Sequence, residues 1–353
     1  MADFDVPETH DTLEGITPPQ LTAALRSHGE ELAFLADAVA RDKLHHALIF
    51  EGEHGIGKAT AAFHLANLLL SGGNAAGEGG LPAPDRYSPV FRQIVQGSHP
   101  GLLYLTRPKN DQGTGFKSAI TVDEIRRLQR FFGMTAAGAD AYRVVIIDPA
   151  NDLNRNAANA LLKLLEEPPA RSVFILIAHG TGGLLPTIRS RCQILKFAPL
   201  ADADIAAIVA DQLGHEFDPS TIERIAALGG GSARRALLFA HFGGLDLLEA
   251  LEAYLGAPRP DVAQAHKLAE IAGNRKTEIH RDILRELVLD RLRGAATDAA
   301  RRGRLRAAER IASADIAIQD RMRMADAFNL DRKQDFLSML ADVHDLLSSA
   351  RTG

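Results

Sequence analysis

The segment that most constrains the fold is a glycine-rich stretch that follows a short apolar run and precedes a helical pattern: Gly52-Glu53-His54-Gly55-Ile56-Gly57-Lys58-Ala59-Thr60. In a phosphate-binding loop, glycines let backbone N–H groups turn toward phosphate, and the lysine neutralises its charge. The alternative is a glycine-rich turn with a surface lysine, but strand, loop and helix stand here in the required order. The predicted nucleotide-binding residues are therefore Gly52, Gly55, Gly57, Lys58, Ala59 and Thr60.

Short apolar runs separated by helical patterns indicate a parallel sheet covered on both faces. The predicted strands are His46–Phe50, Leu102–Leu105, Val144–Ile147, Val173–Ile177 and Gln193–Phe197. Between them, helices are predicted from Thr121 to about Phe132 and over Asn154–Glu167, and the segment Ser71–Ser98 is predicted to be irregular. From about Leu245 onward, apolar stripes at helical spacing predict a bundle of helices.

Two positions of the predicted site lack the chemistry of ATP hydrolysis. Ala59 stands where Ser or Thr would hold magnesium, and Thr60 does not replace it, because one residue along a helix rotates the side chain by roughly 100°. Asp148 follows a buried strand, where an aspartate would hold magnesium through water, but Pro149 stands where the carboxylate that activates water is expected. Two interpretations of Asp152 stay open: a substitute base, or a cap of the helix that begins at Asn154. These residues predict weak binding of ATP or ADP, leave magnesium binding open, and give no expectation of ATPase activity in isolation.

An arginine in Ser190-Arg191-Cys192 stands just before a predicted strand. An arginine held rigidly at such a position can reach a neighbouring subunit and stabilise charge on its γ-phosphate. The alternative is that Arg191 or Arg189 pairs with a local carboxylate. Spacing alone leaves both interpretations open.

Composition excludes several classes of protein. The net charge of −5 excludes a globally basic nucleic-acid binder. The single cysteine, Cys192, excludes an intramolecular disulfide and a multi-cysteine zinc site, which fits a reducing, cytoplasmic location. With no apolar run of about 18 residues, a membrane span is not expected. No metal site is predicted.

Three blocks of the sequence, taken together, resemble the AAA+ clamp-loader family of bacterial DNA polymerase III, and most closely its delta-prime branch. They are HHALIFEGEHGIGKAT, VVIIDPANDLNRNAANALLKLLEEPP and LLPTIRSRCQ. The resemblance implies an α/β P-loop AAA+ core at residues 1–198, a small helical lid at 199–243, and an all-α collar at 244–353. It also implies a hetero-pentamer with motor and delta-type subunits that meets a sliding clamp and primer-template DNA.

The resemblance assigns roles to particular residues. Arg191 falls on the arginine finger offered in trans to the adjacent motor subunit, Asp148 on the second nucleotide motif, and Arg234 on the lid arginine that senses nucleotide. Two features depart from the family pattern. Ala178-His179-Gly180 occupies the place of a polar sensor, and Ser71–Ser98 has no cysteine for the zinc module that delta-prime subunits often carry.

The leading hypothesis is a clamp-loader subunit that donates Arg191 to a neighbour while its own site is inactive. The alternative is a catalytically active AAA+ ATPase, such as the motor subunit of the loader or a helicase loader. A third hypothesis is a structural scaffold with a vestigial nucleotide site.

Overall fold

The computed structural model describes residues 6–72, 80–110, 115–133, 141–180, 183–214, 216–274, 278–328 and 330–352. By its internal contacts the chain divides into two compact units, residues 1–236 and 237–353. The division into three domains at 198/199 and 243/244 stays a prediction. Among the described residues, none of the helices is long and apolar enough to span a bilayer.

The first unit contains a five-stranded sheet in which every pairing is parallel, with the strand order β2-β3-β4-β1-β5. The strands are β1 (Ala47–Gly52), β2 (Leu102–Leu105), β3 (Arg143–Ile147), β4 (Ser172–His179) and β5 (Gln193–Lys196). All five fall on the predicted apolar runs, and β1, β3 and β4 are buried almost throughout. The parallel α/β core is therefore confirmed.

Helices cover the sheet because alternate residues of each strand point to opposite faces. The helices of this core are α1 (Gly29–Ala40), α2 (Lys58–Leu70), α3 (Pro89–Val95), α4 (Val122–Gly133), α5 (Arg155–Glu166) and α6 (Pro186–Arg189). On one face, Ile49, Ile147 and Leu176 join a buried cluster with residues of α4 and α5, such as Leu128 and Leu161. Helix α5 begins as predicted, with the Asn154 side chain accepting the Ala157 N–H at 2.8 Å.

Two local predictions were wrong. The segment Ser71–Ser98 contains α3, in which the Ser88 hydroxyl accepts the Phe91 N–H at 3.1 Å and a proline occupies the first turn. Seven residues are too few for an apolar period to be recognised; residues 73–79 of this segment lie outside the described part. Asp152 also does not cap α5, because Asn154 does so and Asp152 pairs with Arg107.

After the sheet the chain is helical. It forms α7 (Asp202–Leu213), α8 (Pro219–Gly229) and α9 (Ala233–His241), and the boundary between the two units falls within α9. The second unit continues with α10 (Gly244–Gly256), α11 (Val262–Gly273), α12 (Glu278–Arg301), α13 (Leu305–Ala327) and α14 (Arg332–Thr352). The predicted apolar stripes contribute buried residues, including Leu284 and Val288 of α12 and Leu340 and Val343 of α14. The helical C-terminal region is confirmed.

Candidate nucleotide site and candidate finger arginine

The glycine-rich loop connects the carboxyl end of β1 to the first turn of α2, as predicted. Gly55 and Gly57 have φ of +80° and +98°, in the left-handed region where a side chain is strained. Gly57 is the N-cap of α2, so the helix N-terminus opens directly from the loop. The backbone therefore has the path of a phosphate-binding loop.

Lys58, the first residue of α2, is buried and points back into the loop. Its ammonium donates hydrogen bonds to the carbonyl oxygen of Gly52 at 2.9 Å and to that of Glu53. Burial lowers the pKa of Lys58 to about 8, against the opposing charges of Asp148, Glu53 and Asp11. Lys58 lies where a bound phosphate would need a positive charge, but two of its N–H groups already donate to carbonyl oxygens of the loop.

Asp148 lies at the carboxyl end of β3, on the same edge of the sheet as the loop. The hydroxyl of Tyr104, on the neighbouring strand β2, donates to its carboxylate at 3.0 Å. Burial raises the pKa of Asp148 to about 6, helped by the charge of Asp11 and opposed by the Tyr104 hydrogen bond. The carboxyl group is therefore mostly ionised at neutral pH, and its charge interacts with that of Lys58.

The residues that replace the expected hydrolytic groups lie in the loop-helix junction and after β3, as the sequence predicts. Ala59 and Thr60 are the second and third residues of α2 and are half-buried. Pro149 precedes a single 3-10 turn, Ala150–Asp152, and the Asp152 carboxylate forms an ion pair with Arg107. This pairing leaves no carboxylate in the turn that is free to act as a base.

Arg234, in the first turn of α9, reaches the same edge of the sheet. Its backbone N–H donates to the Gly55 carbonyl at 3.3 Å, and the neighbouring Ser232 hydroxyl donates to the His54 carbonyl at 2.8 Å. Ser232 also accepts the Arg235 N–H at 3.3 Å, as an N-cap residue of α9 does. The loop and the start of α9 are therefore directly hydrogen-bonded.

Asp11 is a residue of this site that sequence reasoning missed. Its carboxylate lies 2.8 Å from the guanidinium of Arg234 and accepts a hydrogen bond from His54 Nε2 at 2.9 Å. Burial alone would raise the pKa of Asp11, but the His54 hydrogen bond and charge, with Arg234, lower it to about 2. No local pattern marks Asp11, since 223 residues separate it from Arg234.

His179 occupies the predicted sensor position at the end of β4. Its ring packs against that of His54 with centroids 4.4 Å apart, and its backbone N–H donates to the Asn151 side chain at 2.7 Å. Burial, together with the charges of His54 and Lys58, lowers the pKa of His179 to about 3. The imidazole is therefore neutral at physiological pH and brings no positive charge to the site.

Arg191 lies apart from the other predicted site residues. It precedes the edge strand β5, whose first residue, Gln193, pairs with Leu48. Gly52 is four residues further along β1, about 13 Å at the rise of a strand. Arg191 is therefore at the opposite end of the sheet from the phosphate-binding loop.

Both arginines of this segment have a carboxylate partner in the chain. The Arg191 guanidinium lies 2.6 Å from Glu166 and also donates to the Thr187 carbonyl at 2.9 Å. Arg189 lies 2.8 Å from Glu51, whose side chain is buried in β1. The Arg189 pair is part of the core, whereas the Arg191 pair is at the surface, with the two side chains 35% and 48% exposed.

The structure thus brings together Gly52, Gly55, Gly57, Lys58, Ala59, Thr60, Asp148 and Arg234 at the carboxyl edge of the sheet. Within the described ranges, no group of three or more His, Cys, Asp or Glu residues is placed to hold a metal ion. A parallel sheet in which a glycine-rich loop with a lysine joins the end of β1 to the start of α2 defines an α/β protein of the P-loop class.

Comparison with known proteins narrows this class. Residues 28–201 match the family described as DNA polymerase III, delta subunit. Subunit delta' of DNA polymerase III from Pseudomonas aeruginosa is 35% identical over 188 residues, covering 53% of each chain. The delta' subunit from Bacillus subtilis is 38% identical over 170 residues, covering 48% of this chain and 47% of that one.

The gamma subunit of DNA polymerase III from Buchnera aphidicola is 31% identical over 207 residues, or 58% of this chain and 53% of that one. Over residues 28–201 the chain matches the AAA+ clamp-loader family, in the branch that contains the DNA polymerase III delta' subunits. It spans about half the length of the curated relatives it matches.

Proposed function

We propose that this chain is a clamp-loader subunit of DNA polymerase III that helps load the sliding clamp onto primed DNA in the cytoplasm. Its partners are motor and delta-type subunits in a hetero-pentamer, and it meets the clamp and the primer-template DNA through that complex. The family match over residues 28–201 and the resemblance to delta' and gamma subunits support this assignment.

In this proposal the chain does not hydrolyse ATP by itself. Pro149 provides no carboxylate to activate water, Asp152 is paired with Arg107, and Ala59 provides no hydroxyl for magnesium. The glycines and Lys58 have the residue types that accept phosphate, so weak binding of ATP or ADP remains part of the proposal. Lys58, Thr60 and Arg234 would contact the nucleotide, and Asp148 would face any magnesium ion.

The observation that carries the proposal is the position of Arg191 at the end of the sheet opposite the chain's own loop. From there the guanidinium is directed away from its own site, as a finger acting in trans requires. Its pair with Glu166 is half-exposed, and such pairs contribute about 0–1 kcal/mol, so Arg191 can leave Glu166 for a γ-phosphate. Arg189 is unsuited to this role, because its departure would leave Glu51 buried and unpaired.

The test is reconstitution with a motor subunit, a delta-type subunit, the sliding clamp and primed DNA. Arg191→Ala should leave assembly intact and lower hydrolysis at the receiving interface by about 10³-fold, the lower end of measured finger effects. Arg126→Ala is the matched control, because Arg126 is also an exposed arginine paired with a nearby carboxylate, Asp123. Normal ATP turnover by the Arg191→Ala complex would refute the finger assignment.

The other two hypotheses predict different results in the same assay. An autonomous ATPase hydrolyses ATP as the purified chain and loses that activity with Lys58→Ala. A structural scaffold is needed for assembly, yet its complex tolerates both Lys58→Ala and Arg191→Ala.

A further inference from the structure

An N-terminal segment lies along the carboxyl edge of the sheet and holds a turn over the candidate nucleotide site. Residues 9–12 form this turn, in which the Thr12 N–H donates to the Thr9 carbonyl at 3.1 Å. On one side His10 Nδ1 hydrogen-bonds with the Thr106 hydroxyl at 2.7 Å, just beyond β2. Further back, Glu8 pairs with Lys109 at 2.8 Å. The turn is thus fastened to the strand beside the site.

The Asp11 carboxylate, at the centre of this turn, pairs with two side chains, that of His54 in the loop and that of Arg234 at the start of α9. One oxygen lies 2.8 Å from Arg234 and the other 2.9 Å from His54, and the Asp11 carbonyl also accepts from Arg234 at 2.7 Å. The charge of Asp11 also acts on Lys58 and on Asp148. An anion at this point therefore faces the loop, the lysine and the lid arginine at once, as a nucleotide phosphate would.

The loop is also packed tightly against the start of α9, which leaves little room for a ligand between them. A Cβ added at Gly55 would lie 2.4 Å from both the Ser232 hydroxyl and the Arg234 Cβ. The loop has the residue types that fit a phosphate. Its lysine, however, already donates hydrogen bonds to the carbonyl oxygens of Gly52 and Glu53. A nucleotide has to displace contacts that already exist.

We propose that Asp11 is an intramolecular substitute for a nucleotide phosphate, which holds the loop and Arg234 together and excludes nucleotide until residues 9–12 leave. This rests on the proposed function only in taking the loop as the nucleotide site. The Asp11 side chain is 38% exposed, so the turn can leave without unpacking the core. The consequence is a subunit in which the loop and Arg234 stay together without ATP, while neighbouring subunits bind and release nucleotide.

Nucleotide affinity tests the proposal directly. When a site is available in only a fraction of molecules, the apparent dissociation constant is the intrinsic one divided by that fraction. If the turn leaves the site open in about one molecule in ten, Asp11→Asn tightens ADP binding about tenfold. The asparagine keeps the size of the side chain and removes the charge that attracts Arg234 and His54.

The full chain is titrated with ADP by calorimetry, as wild type, Asp11→Asn, and Glu14→Gln. Glu14→Gln is the matched control, since it removes the same charge from an exposed residue three positions away. The double variant Asp11→Asn with Lys58→Ala should lose the gain, because the gain depends on the loop. Circular dichroism verifies that each variant is folded.

A second measurement follows the turn itself. Hydrogen exchange of residues 9–12 in the wild-type chain should quicken when saturating ADP displaces the turn. The proposal is overturned if Asp11→Asn binds ADP no better than wild type, if Glu14→Gln gives an equal gain, or if ADP binds with exchange of the turn unchanged. None of these outcomes alters the Arg191 result in the assembled complex, so the two proposals fail separately.

Discussion

The Asp11 carboxylate lies 2.8 Å from the Arg234 guanidinium, although 223 residues separate them in the chain. The pair joins the N-terminal segment to the first turn of α9, directly over the glycine-rich loop. Arg234 is the residue that the family resemblance assigns to nucleotide sensing, and here its partner is a carboxylate of its own chain. Asp11 thereby becomes part of the candidate site.

The two neighbouring arginines before β5 should differ in their contribution to stability. Arg189→Ala leaves the buried carboxylate of Glu51 without its partner and is expected to lower the free energy of unfolding by about 3 kcal/mol. Arg191→Ala breaks a surface pair with Glu166 and should cost less than about 1 kcal/mol. Urea denaturation of both variants checks this, and equal losses would contradict the distinction between a structural and an available arginine.

Gly55 and Gly57 provide a matched pair for the contact between the loop and the start of α9. Alanine at either position is strained at positive φ, at a cost of roughly 1–2 kcal/mol. At Gly55 the new methyl also collides with Ser232 and Arg234, whereas at Gly57 no atom lies within 4 Å. Gly55→Ala should therefore be less stable than Gly57→Ala by about 1–3 kcal/mol, as for other overpacked sites. Thermal unfolding of the two variants measures the difference, and identical midpoints would mean that the loop and the start of α9 are not in contact in solution.

Asp148 should make the stability of the chain fall as pH rises. Its pKa is about 6 in the folded chain, against 3.8 for an aspartate in water, because burial disfavours the charged form. A raised carboxyl pKa stabilises the fold fully below about pH 3.8, and this contribution is lost as pH rises toward 6. At neutral pH the loss amounts to about 3 kcal/mol.

The variant Asp148→Asn removes this titration and retains an oxygen that can accept from Tyr104. It should be about as stable as wild type near pH 4 and more stable by about 3 kcal/mol at pH 7. Denaturant unfolding at both pH values measures this, with Asp123→Asn as the control at an exposed carboxylate. A pH-independent difference between Asp148→Asn and wild type would show that the charge of Asp148 carries no such cost.

Much of the core was predictable because its signals are local. The strands of a sheet covered on both faces are continuous apolar runs, and all five appear where such runs occur. The loop is marked by glycines and a lysine at fixed spacing, and α5 by its cap at Asn154. Helix α3 was missed, because seven residues give too short a pattern and its cap, Ser88, stands among glycines and prolines.

The amino-acid sequence by itself determined the parallel α/β core, the loop and the helical C-terminal region. It also determined which chemistry is missing, since no fold can give Ala59 a hydroxyl or Pro149 a carboxylate. Only the tertiary structure decided which charges meet: Asp11 with His54 and Arg234, Glu51 with Arg189, and Glu166 with Arg191. Backbone patterns depend on neighbouring residues, whereas ion pairs depend on which side chains the folded chain brings within a few ångströms.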